Sequence, residues 1–215
     1  MKKRNRFGIF TLVLILSLCG CTQDKIPISS SSDVQKEQDT LPEAEITLEE
    51  EPFLYGYQNL NEEEKTRYRQ ILAGIENYED SVTVEACSEE EINKVSNLVF
   101  VDHPEIFWLE QQNYSFNQKE NSDVDLLELN LVYSMEKDEI EDTKQQIEAK
   151  AEEWSQELSN CENEYDKIKY VYEFLGKNVL YDSESENNQN IQSVFLNQST
   201  VCMGFAKATQ YLLVR

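Results

Sequence analysis

The stretch with the clearest chemical potential runs from Ser199 to Leu213 and holds a cysteine, Cys202, near its start. Ser and Thr are preferred at helix starts, and the Ala- and Leu-rich residues that follow predict a helix with Cys202 in its first turn. A helix N-terminus presents unpaired N–H groups and positive partial charge, which favour the thiolate form of a cysteine. The same spacing also fits a small buried cysteine beside Val201 and Met203.

Two further features of this segment point to a reactive helix start. The backbone N–H of Cys202 would point at the place where an oxyanion forms, since the first N–H groups of a helix have no partner within the helix. Gly204 lies one turn in, where glycine costs about 1 kcal/mol relative to alanine. Either close packing or close approach of a substrate would explain this glycine.

The run Thr200-Val201-Cys202-Met203-Gly204-Phe205-Ala206 resembles the nucleophile motif of the transglutaminase-like cysteine superfamily. In that family the motif opens the central helix of a papain-like core. More closely, the chain resembles bacterial lipoproteins that carry such a domain at the C-terminal end. The run Asp102-His103-Pro104-Glu105-Ile106-Phe107-Trp108 resembles part of the domain that precedes this core in those lipoproteins. In the family, a helix that ends in a pair such as Tyr181-Asp182 precedes the nucleophile helix, and this sequence has the same order.

The resemblance implies roles for several residues. Cys202 would attack a carbonyl and form a thioester, with a His moving the proton and an Asp orienting that His. The substrates would be glutamine side-chain amides or peptide bonds of proteins or peptides at the cell surface or wall. Gln198 would be an upstream oxyanion donor, and Asn190, Gln192 and Ser193 would help line the substrate cleft. No cofactor is expected.

The family's His and Asp follow the nucleophile helix, and the sequence ends at Arg215 without them. We therefore expect a truncated product or a fragment that does not turn over alone. The single histidine, His103, precedes Cys202 by about a hundred residues. Beside Asp102 and Pro104 it is interpreted as a turn residue with a local hydrogen bond and not as the catalytic base.

The N-terminus predicts export and lipid attachment. A basic start is followed by an apolar run over residues 9–18 that is too short for a comfortable membrane span. Leu18-Cys19-Gly20-Cys21 resembles a bacterial lipobox, which makes residues 1–20 a signal peptide and Cys21 the lipid-carrying N-terminus. The alternatives are a short anchor helix or an ordinary cleaved signal. The expected location is the extracellular face of a bacterial cell membrane.

Composition excludes several classes of function. The 215 residues carry a formal charge of −23, which argues against nucleic acid and against adhesion to an anionic membrane by charge alone. After Cys19 and Cys21, three cysteines remain, so at least one thiol stays free, and a disulfide between Cys87 and Cys161 is permitted but not required. One histidine and no paired cysteine motif give no metal signature.

The predicted fold class is α+β. Residues 21–51 are polar and are predicted to comprise the lipidated Cys21 and, after it, a disordered tether with an end-to-end span of about 30 Å. Residues 52–160 are expected to form a mixed helix and antiparallel-strand domain, and residues 161–215 the helical first part of a transglutaminase-like core. The predicted helices cover residues 61–78, 88–99, 140–158, 165–179 and 191–196. The helix over residues 165–179 is amphipathic, with an apolar face made of Tyr165, Ile168, Tyr172, Leu175 and Val179. The predicted strands cover residues 81–85, 113–116 and 127–133, and residues 102–109 are expected to form a turn followed by an aromatic-rich strand.

Two other functions remain open on the sequence. In one, the chain is a lipid-tethered binding protein in which residues 52–160 act and the core is vestigial. In the other, a separate polypeptide supplies the missing His and Asp and docks on apolar surface of the last helix.

Overall fold

The structure, a computed structural model, describes residues 54–110, 116–119 and 126–214. The predicted signal peptide, the lipidation site Cys21 and the predicted tether lie outside the described residues. All described residues belong to one compact unit. Its helices and small sheets confirm the predicted α+β class.

Helices and short strands are interspersed along the described chain. The helices are α1 Tyr55–Gln58, α2 Glu62–Glu76, α3 Glu89–Asp102, α4 Lys137–Ser155, α5 Glu164–Asn178 and α6 Cys202–Leu213. The strands are β1 Ser81–Glu85, β2 Phe116–Lys119, β3 Leu126–Asn130, β4 Leu180–Tyr181 and β5 Ser199–Thr200. A 3-10 segment, Gln156–Asn160, continues α4, and a π-helical turn, Ser193–Asn197, precedes β5.

The three longer strands form an antiparallel sheet in the order β1-β3-β2. Leu129 of β3 lies opposite Val82 of β1 and, on the other side, Phe116 of β2. The antiparallel pairing predicted for this part of the chain is therefore confirmed where it is described. Residues 113–115 of the predicted strand lie outside the described residues.

Helix α2 confirms its sequence signals. Asn61 accepts a hydrogen bond from the backbone N–H of Glu64, and the Glu64 carboxylate accepts one from the backbone N–H of Asn61, which completes a capping box. Lys94 of α3 lies 2.7 Å from the same carboxylate. Hydrogen bonding to Lys94 and to Asn61 lowers the pKa of Glu64, so the Glu64 carboxylate of the capping box stays ionised at neutral pH.

The aromatic strand expected after the turn at residues 102–109 is wrong. Asp102 ends α3, and the aromatic residues after it form a loop. The one β-bridge between this loop and the rest of the described residues joins Leu109 to Tyr133. A half-buried strand would alternate buried and exposed residues, whereas the consecutive Phe107 and Trp108 are both buried. Their aromatic side chains fill the core directly from a loop.

The face that α5 buries agrees with the predicted apolar face only in part. Leu175 and Val179 are buried as expected, whereas Tyr165, Ile168 and Tyr172 are 71%, 52% and 77% exposed. The helix also buries Val171, which the predicted face did not include. Apolar residues stand on two stripes of this helix, and packing against the neighbouring elements selects the stripe that includes Val171.

One hydrophobic core joins the early and late parts of the chain. It runs from Leu54 in the first described segment to Leu212 in α6. Trp154 of α4 lies with its ring centroid 5.2 Å from that of Phe174 and 5.1 Å from that of Phe195. The apolar stripe along α4 is thus part of the core, and this core contains residues on both sides of residue 160.

Candidate functional site

Cys202 is the first residue of α6 and is solvent-exposed. The residue in the capping position is Val201, with extended backbone and no side-chain hydrogen bond to the helix. The expectation that Ser199 and Thr200 cap the helix is therefore wrong, because these two residues form β5. The placement of the thiol in the first turn of a helix is confirmed.

Thr200 is fully buried and anchors the approach to Cys202. Its hydroxyl donates to the backbone oxygen of Asn188 at 2.8 Å, and the hydroxyl of Ser193 lies 2.7 Å from its Oγ1. These bonds tie β5 to the loop before it and to the π-helical turn. Sequence reasoning missed this role because a Ser/Thr pair before a helix is also the usual signal for a cap.

Gly204 packs directly against Thr200. A Cβ atom at position 204 would lie 1.9 Å from the Thr200 Oγ1 and 3.1 Å from the backbone oxygen of Asn188. Of the two explanations for this glycine, close packing is supported, because Thr200 and Asn188 occupy the space beside it. The predicted substrate contact at Gly204 stays a prediction.

The parallel pairing of β4 with β5 brings aromatic residues beside α6. The backbone N–H of Leu180 donates to the Gln198 oxygen at 2.8 Å, and that of Asp182 donates to the Thr200 oxygen at 2.9 Å. The ring of Tyr181 then stacks on that of Phe205 of α6, with centroids 6.5 Å apart and planes 9° apart. Tyr181 is 65% exposed, so an aromatic surface lies on the strand next to the segment that leads into Cys202.

The residues predicted to line a cleft occupy different settings. Gln198 is exposed, in a left-handed conformation with φ of 51°. Ser193 has no exposed surface. Asn190 is used by the fold, since its Oδ1 accepts from the backbone N–H of Gln192 at 2.9 Å and its Nδ2 donates to the Phe107 oxygen at 3.4 Å. Gln198 is thus the one of these side chains that a substrate reaches without rearrangement of buried contacts.

His103 makes the local hydrogen bond expected of it. Its Nδ1 lies 2.7 Å from the Glu105 carboxylate, and the ring is buried against Tyr68. Helix α6 meets this region through Gln210, whose Nε2 donates to the Val101 oxygen at 2.9 Å. Gln210 lies eight positions after Cys202, which corresponds to about 12 Å along a helix, so α6 presents its far half and not its thiol to this loop.

The three described cysteines, Cys87, Cys161 and Cys202, are free thiols. Burial raises the pKa of the Cys87 thiol, which keeps it protonated and unreactive at neutral pH. The Cys161 thiol lies 3.8 Å from the backbone oxygen of Glu157. Cys202 is the most exposed of the three, and its position at a helix start distinguishes it from the others.

Within residues 54–110, 116–119 and 126–214, no group of three or more His, Cys, Asp or Glu side chains is placed to hold a metal ion. In the same part of the chain, no helix has both the length and the apolar character needed to span a membrane.

Comparison with known proteins assigns no family to the chain. No protein-family model matches it, and no curated protein matches it closely enough to count as a relative.

Proposed function

We propose that the chain belongs to a lipid-anchored protein of the bacterial cell surface in which Cys202 is the nucleophile of a transglutaminase-like domain. The observation that carries this proposal is the exposed thiol of Cys202 in the first turn of α6. The buried hydrogen bonds of Thr200, two residues earlier, support it because they hold the backbone that leads into the thiol.

The proposed chemistry is acyl transfer. The Cys202 sulfur attacks the carbonyl carbon of a glutamine side-chain amide or a peptide bond, the C–N bond breaks, and ammonia or an amine leaves with a proton. An amine or water then attacks the thioester and releases the thiol. The first backbone N–H groups of α6 are the available donors for the oxyanion, since they have no acceptor within the helix.

The proton transfer needs a base, and the one histidine of the sequence, His103, is not placed to serve Cys202. His103 is buried, has its Nδ1 on Glu105, and lies near the far half of α6. The proposal therefore places the base outside the described residues. This makes turnover by the described residues alone slow, while leaving a single attack by Cys202 on an activated acyl donor feasible.

Attachment through Cys21 would place this chemistry outside the cell. Labelling with a radioactive or alkyne-tagged fatty acid tests the anchor: the wild type should carry label in the membrane fraction, and Cys21→Ala should carry none. Label on Cys21→Ala, or its absence from the wild type, would refute the anchor without bearing on Cys202.

The nucleophile is tested by trapping an acyl group. The purified chain is incubated with p-nitrophenyl acetate and the acetylated cysteine is mapped by peptide mass. Acetyl label is expected on Cys202 before the other cysteines, and Cys202→Ala should lose the rapid phase whereas Cys161→Ala should keep it. Label that accumulates equally on Cys161 and Cys202 would contradict the proposal.

A further inference from the structure

Helix α5 packs on the core with one side and leaves a second, largely apolar stripe exposed. With 3.6 residues per turn, the side chains of this stripe fall within about 100° of the helix circumference. The α5 stripe consists of Tyr165, Ile168, Lys169, Tyr172 and Gly176, all of them exposed. Its three large apolar side chains are each more than half exposed. A row of large apolar residues on the outer face of one helix is typical of a surface that another helix covers.

Gly176 of the α5 stripe has no role within the described chain. A Cβ atom there would meet nothing within 4 Å, in contrast to Gly204, which packs on Thr200. Its φ is not positive, and α5 continues for two residues beyond it, so it is not the left-handed glycine that ends many helices. Glycine inside a helix costs about 1 kcal/mol relative to alanine. Close approach of a partner from outside would account for it.

The charges of α5 favour a second copy of this chain as that partner. The helix has three acidic and three basic residues, so it is locally neutral although the whole chain carries −23. Asp166 lies in its first turn and Lys177 in its last, and Lys169 and Glu173 lie between them on the same flank of the stripe. An antiparallel second copy reverses this order along the contact, so acidic positions of one helix meet basic positions of the other.

We propose that two copies of the chain pair through the α5 stripe, with the two helices antiparallel. The register that places Tyr165 on Gly176 of the second copy lets the aromatic ring fill the space that the glycine leaves open. The same register sets the Lys169 ammonium group over the Tyr172 ring of the second copy, as a cation–π contact. A two-fold axis relates the copies, so each contact forms twice.

This register also satisfies the charges on the flank. Lys169 lies beside Glu173 of the second copy, and Asp166 lies beside Lys177 of the second copy. Glu173 already has the Nζ of Lys177 3.8 Å away in its own chain, so pairing adds a second cation to that carboxylate. Exposed ion pairs of this kind contribute little free energy, and their main effect is to select the antiparallel orientation.

The size of the surface makes the dimer weak. Two tyrosines and an isoleucine, each partly exposed, offer on the order of 400 Å² per copy, since a whole aromatic side chain buries roughly 150–250 Å². The pair therefore buries about 800–1,000 Å² in total, which is at the low end for specific interfaces. We expect a dissociation constant on the order of 0.1 mM, so the chain is a monomer at micromolar concentration.

Sedimentation equilibrium of the full chain at fixed ionic strength, with a reducing agent to exclude disulfides of Cys202, tests the pairing. Tyr172→Ala should weaken self-association about tenfold or more, whereas Tyr55→Ala, which removes an equally exposed tyrosine from α1, should leave it unchanged. All variants keep the apolar run at the N-terminus, so differences between them report on α5. A wild type that stays monomeric up to about 0.5 mM, as when another segment of the chain covers α5, would overturn the proposal. Equal association of the wild type and Tyr172→Ala would overturn it as well.

A charge exchange tests the antiparallel register. Lys169→Glu and Glu173→Lys should each weaken the dimer about three- to tenfold, because like charges then meet twice across the axis. The double variant restores opposite charges and should return to within about twofold of the wild type. Lys167→Glu makes the same charge change on an exposed position about 200° from Tyr165 around the helix and should have no effect. A double variant as weak as the single ones, or an equal loss in Lys167→Glu, would overturn the proposal.

Gly176→Gln separates pairing from folding. The added side chain has room within one molecule and improves helix propensity, so urea unfolding at micromolar concentration should show stability equal to or above that of the wild type. In the dimer the same side chain occupies the place of Tyr165 of the second copy, so self-association should fall about tenfold or more. Unchanged self-association of this folded variant would overturn the proposed contact.

Discussion

The hydroxyl of Thr200 occupies the space that a side chain at Gly204 would need, with Oγ1 only 1.9 Å from the position of a Cβ atom. Thr200 ends β5 and Gly204 stands in the first turn of α6. The contact therefore fixes how closely the helix that begins at Cys202 approaches the strand before it. The site is built by packing around a glycine and a buried threonine, and the exposed thiol lies between them in the sequence.

Gly204→Ala should destabilise the protein by about 1–3 kcal/mol or more, because the added methyl group must displace the buried Thr200 hydroxyl or the Asn188 backbone. Urea unfolding followed by circular dichroism measures the loss. Gly176→Ala is the matched control: a Cβ there meets nothing within 4 Å, so it should stabilise the helix by about 0.5–1 kcal/mol. A Gly204→Ala variant as stable as the wild type would contradict the packing described.

Asp102→Asn should destabilise the protein by roughly 2–3 kcal/mol. The Asp102 carboxylate accepts hydrogen bonds from the backbone N–H groups of Gly56 and Tyr57 and from the Tyr68 hydroxyl. Asparagine keeps the shape but turns one acceptor into a donor among buried donors, which leaves groups unsatisfied. Thermal or urea unfolding gives the difference, and the exposed Asp142→Asn should stay within about 0.5 kcal/mol of the wild type. Equal effects of the two changes would contradict the buried role of Asp102.

The face that α5 buries can be tested with two alanine substitutions of similar aliphatic residues. Leu175→Ala should cost about 2–5 kcal/mol because Leu175 is only 2% exposed. Ile168→Ala, on the exposed stripe of the same helix, should change the free energy of unfolding by less than about 0.5 kcal/mol. If Ile168→Ala proved the more costly of the two, the exposure of Ile168 and the burial of Leu175 would be contradicted.

Stability should fall above about pH 10. Burial raises the pKa of Tyr133 to about 12, with a smaller contribution from the charge of Asp80. Burial also raises the pKa of Tyr68 and Tyr78. A raised pKa in the folded state favours the protonated form there, so this stability is fully present below the unfolded pKa of about 10 and is lost as pH rises through about 12.

Urea unfolding between pH 8 and pH 11 measures this loss. Tyr133→Phe removes one of the titrating groups, along with the hydrogen bond its hydroxyl donates to the Glu79 oxygen at 2.7 Å. The variant should be less stable at pH 8 and should lose stability less steeply above pH 10. Parallel profiles for the variant and the wild type would show that Tyr133 has the same pKa in the folded and unfolded states.

The sequence predicts those elements whose signals are local. The capping box of Asn61 and Glu64 and the apolar period behind it predict α2, and the residues around Cys202 predict the start of α6. The buried stripe of α5 could not be chosen from the sequence because two stripes are apolar and only the neighbouring elements decide between them. A local pattern also could not show whether Thr200 caps a helix or fills a buried site.

Sequence patterns could not predict the open pocket beside Trp108, for a different reason. Its walls come from residues as far apart as Glu76 and Tyr211. No spacing along the chain relates such residues, because their proximity follows from how α2, α4 and α6 pack. The loop that carries Trp108 was itself expected to be a strand, and its place as the pocket floor follows from the burial of consecutive aromatic side chains.

The most direct test of Cys202 as a nucleophile compares its alkylation rate in the folded and urea-unfolded protein. The protein is treated at neutral pH with a limiting amount of iodoacetamide, for which the described cysteines compete in one sample. Alkylation of each cysteine is followed by peptide mass. Cys202 should react faster in the folded protein than in the unfolded one, because it is exposed at a helix start, where unpaired N–H groups favour negative charge. Cys87, which is partly buried, should react more slowly when folded. A folded rate for Cys202 at or below its unfolded rate would contradict the proposal.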